Sequence, residues 1–338
     1  MRALALAVVP VLAALVLSGA VLWLLGTDPL EYYAYVAHRG LMTASGFQAT
    51  VTRMAPLLLV AAGLILAFRT GLWNLGSDGQ FMLGATAAAV TAPPLAEFMP
   101  DWAVLAISAG AAMAVAALWS LLPALLKARH GVNEIVTTLM MSFLGLSLAN
   151  ALVKLVFLDP ATTVPQTRTL AVADRLPPLP GTIVSGGVVV GLAAIVAVHL
   201  VMTRTSFGLK LRVVGANPRA AVHAGLRVPL LTVAVFSLSA ALIGLAGAVE
   251  VLGVLGNVRA DWNPAYGLSV IPLVFLARLN GFAAIIYVLL FSALQIGAES
   301  AARRLGVPTY FTLVLVANLL IVLALVEYFS QRWRPSWT

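Results

Sequence analysis

The chain is 338 residues long, 62% hydrophobic and only 9% charged, with a mean hydropathy of +1.02. Soluble domains carry roughly a quarter of their residues as charged ones, so the composition excludes an ordinary water-soluble domain and predicts an all-α, polytopic membrane protein. The absence of cysteine excludes disulfides and thiolate metal sites, and the net charge of +8 is better explained by loop bias toward one membrane face than by nucleic acid.

Windows of about 20 apolar residues recur along the chain, the length needed to cross a hydrocarbon core about 30 Å thick. Ten spans are predicted, near 4–26, 52–68, 77–92, 102–126, 134–158, 182–203, 229–254, 264–277, 281–298 and 308–329. They are continuous instead of alternating, which argues against a β-barrel. The first apolar run, Ala3 to Leu25, exceeds the roughly 7–15 residues of a signal peptide and reads as a retained span. The third and eighth are short enough to be broken or re-entrant. Pro93-Pro94, Asp159-Pro160 and Pro177-Pro178 separate spans, and the stretches 27–51 and 159–181 read as external connectors. The whole chain, 1–338, reads as one transmembrane domain. Small residues at helical spacing (Gly187 with Gly191, Ala240 with Gly244, Gly244 with Ala248) predict close helix contacts.

Lysine and arginine divide unequally between the faces. One face collects Arg2, Arg69, Lys127, Arg129, Arg204, Lys210, Arg212, Arg219, Arg227, Arg278, Arg332 and Arg334. The other collects Arg39, Arg53, Arg168, Arg175, Arg259, Arg303 and Arg304, with Arg303-Arg304 an exception to the bias. The cation-rich face is expected to be cytoplasmic, with both termini inside.

That face carries the longest basic segment, residues 204–228 (RTSFGLKLRVVGANPRAAVHAGLRV), which holds five cations and no acid. Asn217 is placed to cap a helix and Pro218 to occupy its first position. Gly225 suits the left-handed exit. Two turns of helix are too short to be stable alone in water, so a partner is expected to hold them. Charged groups within spans are few. Glu250 and Lys154 fall late in theirs and read as rim positions or as a mutual pair, while Asn133-Glu134 reads as a helix N-terminus with a favourable carboxylate. Gln295 and Asn318 read as cavity liners or interhelical hydrogen-bonding groups, and His199 as interfacial.

Catalytic motifs are missing. The chain has no GxxxxGK[ST] loop, no HExxH and no GxSxG. A membrane-embedded enzyme is therefore a weak reading, and any energy from ATP must be harvested by another chain. A second polar stretch, RTGLWNLGSDGQFMLGA from Arg69 to Ala85, sets Asn74, Ser77, Asp78 and Gln80 among four glycines. Polar non-helical backbone at membrane depth survives only where it is buried or lines a cavity. Two readings stay open here: a helix break on a solute path, and a tight turn with caps.

This stretch closely resembles the NxGxEGQ signature of permease subunits of bacterial ABC importers, in the nucleoside and simple-sugar branch of the group that includes branched-chain amino acid permeases. Three further stretches agree in the same order. HGVNEIVTTLMMSFL (His130–Leu144) is similar to the family's GxNEVIxTLMLNY run, GLKLRVVGANPRAAVHAGL (Gly208–Leu226) to its GxxxRAVGxNPxAAxYAGI run, and SAALIGLAGAVEVLG (Ser239–Gly253) to a glycine-rich span. The family's coupling motif EAAxxxG falls on Arg219-Ala220-Ala221 and Gly225, with Arg219 in place of the acid; Asp78 stands where the family usually has Glu.

The resemblance implies one transmembrane subunit of an ATP-driven importer in the bacterial inner membrane, performing no covalent chemistry. A cytoplasmic ATPase would grip the Asn217–Gly225 helix, with Ala220 and Ala221 allowing close approach and Arg212, Arg219 and Arg227 pairing with acids. The ATP would be bound by that partner, this chain holding no cofactor. A second, related permease subunit, an extracytoplasmic substrate-binding lipoprotein and the surrounding membrane lipid complete the expected partners. Asn74, Asp78, Gln80, Asn133 and Glu134 are the residues expected along the substrate pathway. A nucleoside is the preferred solute and a simple sugar the second choice. An ion-coupled carrier would bury more ionisable groups near the midplane.

Overall fold

The computed structural model describes residues 2–308 and 310–332. Arg334, counted above among the cations of the basic face, lies outside them, as do the two chain ends. Apolar runs this long satisfy their backbone internally, and in a bilayer only helices or closed barrels do so. The described residues accordingly form helices and no strand. They are α1 (Arg2–Leu24), α2 (Pro29–Ala37), α3 (Ala44–Arg69), α4 (Ser77–Ala96), α5 (Asp101–His130), α6 (Glu134–Leu155), α7 (Gly187–Arg204), α8 (Ser206–Ala216), α9 (Pro218–His223), α10 (Val228–Glu250), α11 (Tyr266–Leu276), α12 (Gly281–Leu305) and α13 (Phe311–Arg332). Single π-turns extend α2 over His38–Met42 and α10 over Val251–Leu255.

Each of the ten predicted spans falls on a helix. Six of these helices (α3, α5, α6, α7, α10 with its extension, and α12) are long and apolar enough to cross a membrane, and α1 with α2 forms a pair bent by 120°. The bundle is built around α3, which is 83% buried over its apolar window and packs on α7, α10, α11 and α12. α5 and α6 are only 28% buried and present apolar faces outward.

Lipid tails are as apolar as leucine, so small residues that bring backbones together must do much of the packing. A Cβ on Gly84 would lie 2.5 Å from the Gly244 Cα, and one on Gly244 2.5 Å from the Ala112 carbonyl. That places α4, α10 and α5 in backbone contact. Gly191 approaches the Ala55 carbonyl of α3 in the same way, at 2.7 Å.

Four expectations change. The stretch 27–51 is no plain connector: it holds α2, its π-turn and the first two turns of α3, because Asp28 caps the helix and Pro29 begins it. The stretch 159–181 is laced onto the segment after α10 by Thr167 N–H to the Val258 carbonyl (3.0 Å) and Leu170 N–H to the Gly256 carbonyl (2.9 Å). The basic loop contains α8 ahead of its short helix, capped by Thr205. Pro93-Pro94 lies inside α4, near its end, instead of terminating it.

Candidate functional site

The segment between α3 and α4 lies at depth. Asn74 and Gln80 are both buried and exchange two hydrogen bonds through their side-chain amides, each 3.0 Å long. Asn74 also donates to Ser239 Oγ of α10 at 3.0 Å and accepts from the Gly76 N–H at 3.2 Å. Two hydroxyls of α6 hold two further amides: Thr138 accepts from Leu75 N–H (3.1 Å) and Ser142 from Gly79 N–H (3.1 Å). Ser239 lies eleven residues into α10, about 16 Å along its axis. The polar cluster therefore sits within the bundle, well away from that helix's end.

Asp78 acts on a different helix. α11 has 11 residues, about 16 Å of rise, roughly half a hydrocarbon core. A helix begins with orphan N–H groups and a partial positive charge, and α11 is preceded by Ala265, whose side chain offers no acceptor. The Asp78 carboxylate supplies it, accepting from Gly267 N–H at 2.7 Å and facing the Leu268 amide. The absence of a side chain at Gly267 is required there, because a Cβ would run into Ser77 and Asp78.

The other end of α11 is held by the same segment. Arg69, the last residue of α3, donates from Nε to the Leu279 carbonyl at 2.9 Å. Phe68 and Trp73 close on Phe275 with ring centroids 5.1 and 5.6 Å apart. Arg69–Asp78 thus brackets the half-helix at both termini. The four non-glycine residues with positive φ among the described residues also flank it: Asp261 (62°), Ala265 (51°), Arg278 (50°) and Leu279 (58°). Backbone of this kind clusters at functional and switch regions.

A partly buried charge cluster secures the first residue of α11, Tyr266. Arg53 of α3 donates to Tyr266 Oη at 2.8 Å and pairs with Glu299 of α12 at 3.2 Å. The Tyr266 hydroxyl lies 3.4 Å from Glu250 of α10. Glu250 and Lys154 therefore do not pair with each other: Lys154 meets Asp261 at 2.8 Å on the surface, and Glu250 sits 5% exposed in the arginine cluster. Arg53, Tyr266 and Glu299 escaped sequence reasoning because they come from three distant spans with no shared motif.

Asn133 and Glu134 lie apart from this centre. Asn133 caps α6 through Ile135 N–H (2.9 Å), and Glu134 bridges to Lys127 of α5 at 2.8 Å. His199 Nδ1 accepts from Gly281 N–H, the first amide of α12, and its ring packs on Phe282. Asn318 donates to Ser18 Oγ, an interhelical bond.

The second candidate region is built oppositely. Asn217 Oδ1 accepts from Arg219 and Ala220 N–H at 3.0 and 3.1 Å, Pro218 opens α9, and Gly225 leaves it at φ +78°. Only Ala221 of the six helical residues is buried; Arg219, Ala220 and Val222 are exposed, as are Arg212 and Arg227 beside it. α9 packs on α8 and the start of α10. The two regions touch, with Leu72 and Leu211 in one buried apolar cluster and the closest approach at two glycines. A Cβ on Gly215, near the end of α8, would lie 2.6 Å from the Arg69 carbonyl, and Gly71 faces Gly215 at φ +72°.

The family model described as "Branched-chain amino acid transport system / permease component" matches residues 46–324. Over 335 residues the chain is 32% identical to the glucose ABC transporter permease protein TsgB13 of Haloferax volcanii, covering 96% of this chain and 88% of that protein. It is 28% identical over 281 residues to the guanosine ABC transporter permease protein NupP of Bacillus subtilis, covering 81% and 80%. It is 25% identical over 336 residues to the nucleoside ABC transporter permease protein NupB of Lactococcus lactis, covering 95% and 90%.

Proposed function

This chain belongs to the family of branched-chain amino acid transport system permeases, and from that premise we propose how, as the membrane subunit of an ABC importer, it takes up work and moves its solute. Ten passes cross a bacterial inner membrane, α11 supplying only the helical half of one, with both termini and the α8–α9 loop on the cytoplasmic side. A cytoplasmic ATPase clasps α9, binding and hydrolysing the ATP that this chain does not hold. A substrate-binding lipoprotein delivers solute at the opposite face, and a second, related permease supplies the other half of the path.

The observation that carries this reading is the contrast within α9: a capped helix, too short to stand alone, with all but Ala221 left facing outward. Arg219 and Arg212 are free to meet acids of an ATPase. Motion of the loop reaches the membrane centre through the Gly215–Gly71 contact. From there it enters the Arg69–Asp78 segment, and from Asp78 and Arg69 it passes to the two ends of α11. α11 is then the element that shifts between access states, turning on the positive-φ residues at its ends. Asn74 and Gln80 serve this path by holding the segment in register.

A nucleoside is the preferred solute, supported by the relatives named for guanosine and nucleosides. A simple sugar is the second reading, supported by the glucose relative at 32% identity over nearly the whole chain. Both are neutral and hydroxyl-rich. The test is uptake by the complete importer in proteoliposomes, with guanosine, uridine and glucose compared in parallel. ATP-dependent uptake of a nucleoside sustains the reading, uptake of glucose alone moves it to the sugar, and uptake without the ATPase subunit removes the coupling role of α9.

A further inference from the structure

A recess of about 520 Å³ opens beside α2, apart from the linkage described above. Glu31, Tyr35, His38, Arg39, Thr43 and Arg304 wall it, so two arginines face a single acid. The Arg304 guanidinium lies 5.0 Å from the centre of the Tyr35 ring. Stacking of this kind occupies the flat face of the group and leaves its edge of N–H donors open. Elsewhere on the same side Arg53 pairs with Glu299, Lys154 with Asp261 and Arg168 with Glu97, while Arg175 donates to the Leu170 and Val254 carbonyls. Among the described residues neither Arg39 nor Arg304 has an ion-pair partner. Arg303, exposed next to Arg304, has none either.

The recess is preformed. Its two walls, the turn after α2 and α12, meet backbone to backbone: a Cβ on Gly40 would run into the Ala293 carbonyl, and one on Gly297 into the Val36 carbonyl. The turn that carries Arg39 is tied within itself, Thr43 Oγ1 donating to the Arg39 carbonyl at 3.0 Å and accepting from Gly46 N–H at 3.2 Å. Thr50 Oγ1 donates to the Gly40 carbonyl at 2.8 Å. The backbones of Arg39 and Arg304 are therefore fixed around one space, and pairing with them needs no rearrangement of the fold. Depth follows from α12, which begins at Gly281, bonded to His199 near the end of α7 that leads into α8 and α9. Arg304 is 23 residues further, about 35 Å along the axis, more than the roughly 30 Å of a hydrocarbon core. The recess opens at the membrane face opposite α9, beyond the apolar layer.

We propose, resting on the importer reading above, that this recess is a docking point for the substrate-binding lipoprotein and receives an acidic side chain projecting from that protein's surface. The carboxylate enters between Arg39 and Arg304, whose planar guanidinium groups suit paired carboxylate oxygens. A concave site favours a projecting loop over a flat surface. An anionic lipid headgroup offers the same charge, but the apolar spaces beside α2 share no wall residue with the recess, so they provide no seat for its acyl chains. The docking role also accounts for arginines gathered on the face that the charge bias leaves poor in cations. Unpaired charge at a water-facing recess steers an acidic protein toward it and fixes its register on arrival.

The test uses the complete importer in phosphatidylcholine nanodiscs and its own purified substrate-binding protein, with capture measured by biolayer interferometry. Wild-type capture should weaken as salt rises. The double variant Arg39→Gln/Arg304→Gln should weaken it on the order of tenfold at low salt and flatten its salt dependence. Arg304→Lys, which keeps the charge, should retain more capture than Arg304→Gln. A photo-cross-linker placed at Ala34, on the wall of the recess, should join the two proteins. Should the double variant fail to assemble, the two single changes at Arg304 and the Ala34 cross-link carry the comparison. Wild-type capture that the double variant leaves unchanged overturns the proposal and spares the importer reading; so does equal capture by Arg304→Gln and Arg304→Lys with no cross-link from Ala34. A loss confined to nanodiscs containing phosphatidylglycerol overturns it too, by making the arginines a lipid-headgroup site. Uptake that proceeds without any binding protein removes the importer reading and the proposal together.

Discussion

The Arg69–Asp78 segment and the Thr205–Arg227 loop are both short, polar and punctuated by glycine, yet one closes on itself and the other does not. In the first, the Asn74 and Gln80 amides, the Asp78 carboxylate and the Arg69 guanidinium all find protein partners inside the bundle. In the second, hydrogen bonds are spent on capping a six-residue helix, and the arginines around it face outward. Buried polar groups without partners cost far more than exposed ones. The first region is therefore a fixed linkage, and the second an exposed surface. The same change of residue should damage stability in one region and communication in the other.

Gly215→Val should have the largest effect, because it drives a side chain into the Arg69 carbonyl where the two regions touch. Overpacking of this kind costs about 1–3 kcal/mol or more, and thermal unfolding of the assembled importer should show it together with loss of uptake. Unchanged stability would separate α8 from the bracket. Asp78→Ala should come next, leaving the Gly267 amide without its acceptor at about 1–3 kcal/mol. Asp78→Asn, which keeps an oxygen there, should recover part of the loss, and identical melting of all three proteins would mean that the α11 cap is idle.

The Asn74→Ala and Gln80→Ala pair sharpens the comparison through a double-mutant cycle. Groups that bond each other should show a coupling energy of about 0.5–3 kcal/mol, and purely additive losses would contradict the amide pair. Gly225→Val should place a β-branched residue at φ +78°, a cost of about 1–2 kcal/mol confined to the exit of α9. Its signature should be ATP hydrolysis no longer stimulated by solute while the membrane helices melt normally. Smallest in stability is Arg219→Ala, within about 0.5 kcal/mol as an exposed substitution, although solute-stimulated ATP hydrolysis should fall. A change in melting with hydrolysis intact would invert the roles assigned to the two regions.

Much of the second region was legible in the chain. Asn217, Pro218 and Gly225 act on their own neighbours, so their positions alone predict the helix that forms between them. The first region was legible as unusual but not as what it is. Both readings offered for it, a break and a capped turn, describe part of the structure, since the segment is a turn whose capping carboxylate serves another helix. Asp78 reaches Gly267 across 189 positions, and Asn74 reaches Ser239 across 165. No periodicity connects such partners.

Apolar length, charge bias and local capping grammar were enough to determine a bundle of membrane helices with a basic loop carrying a short exposed helix, because each depends on residues within a turn or two of one another. Only the tertiary structure decided that α11 is half a span held at both ends by one segment, and that Arg53 draws Tyr266 and Glu299 together beside Glu250. Those outcomes depend on which helices become neighbours. In a bilayer that choice is made by close backbone packing at small residues and by the need to pair each buried polar group, neither of which is written in any single stretch of the chain.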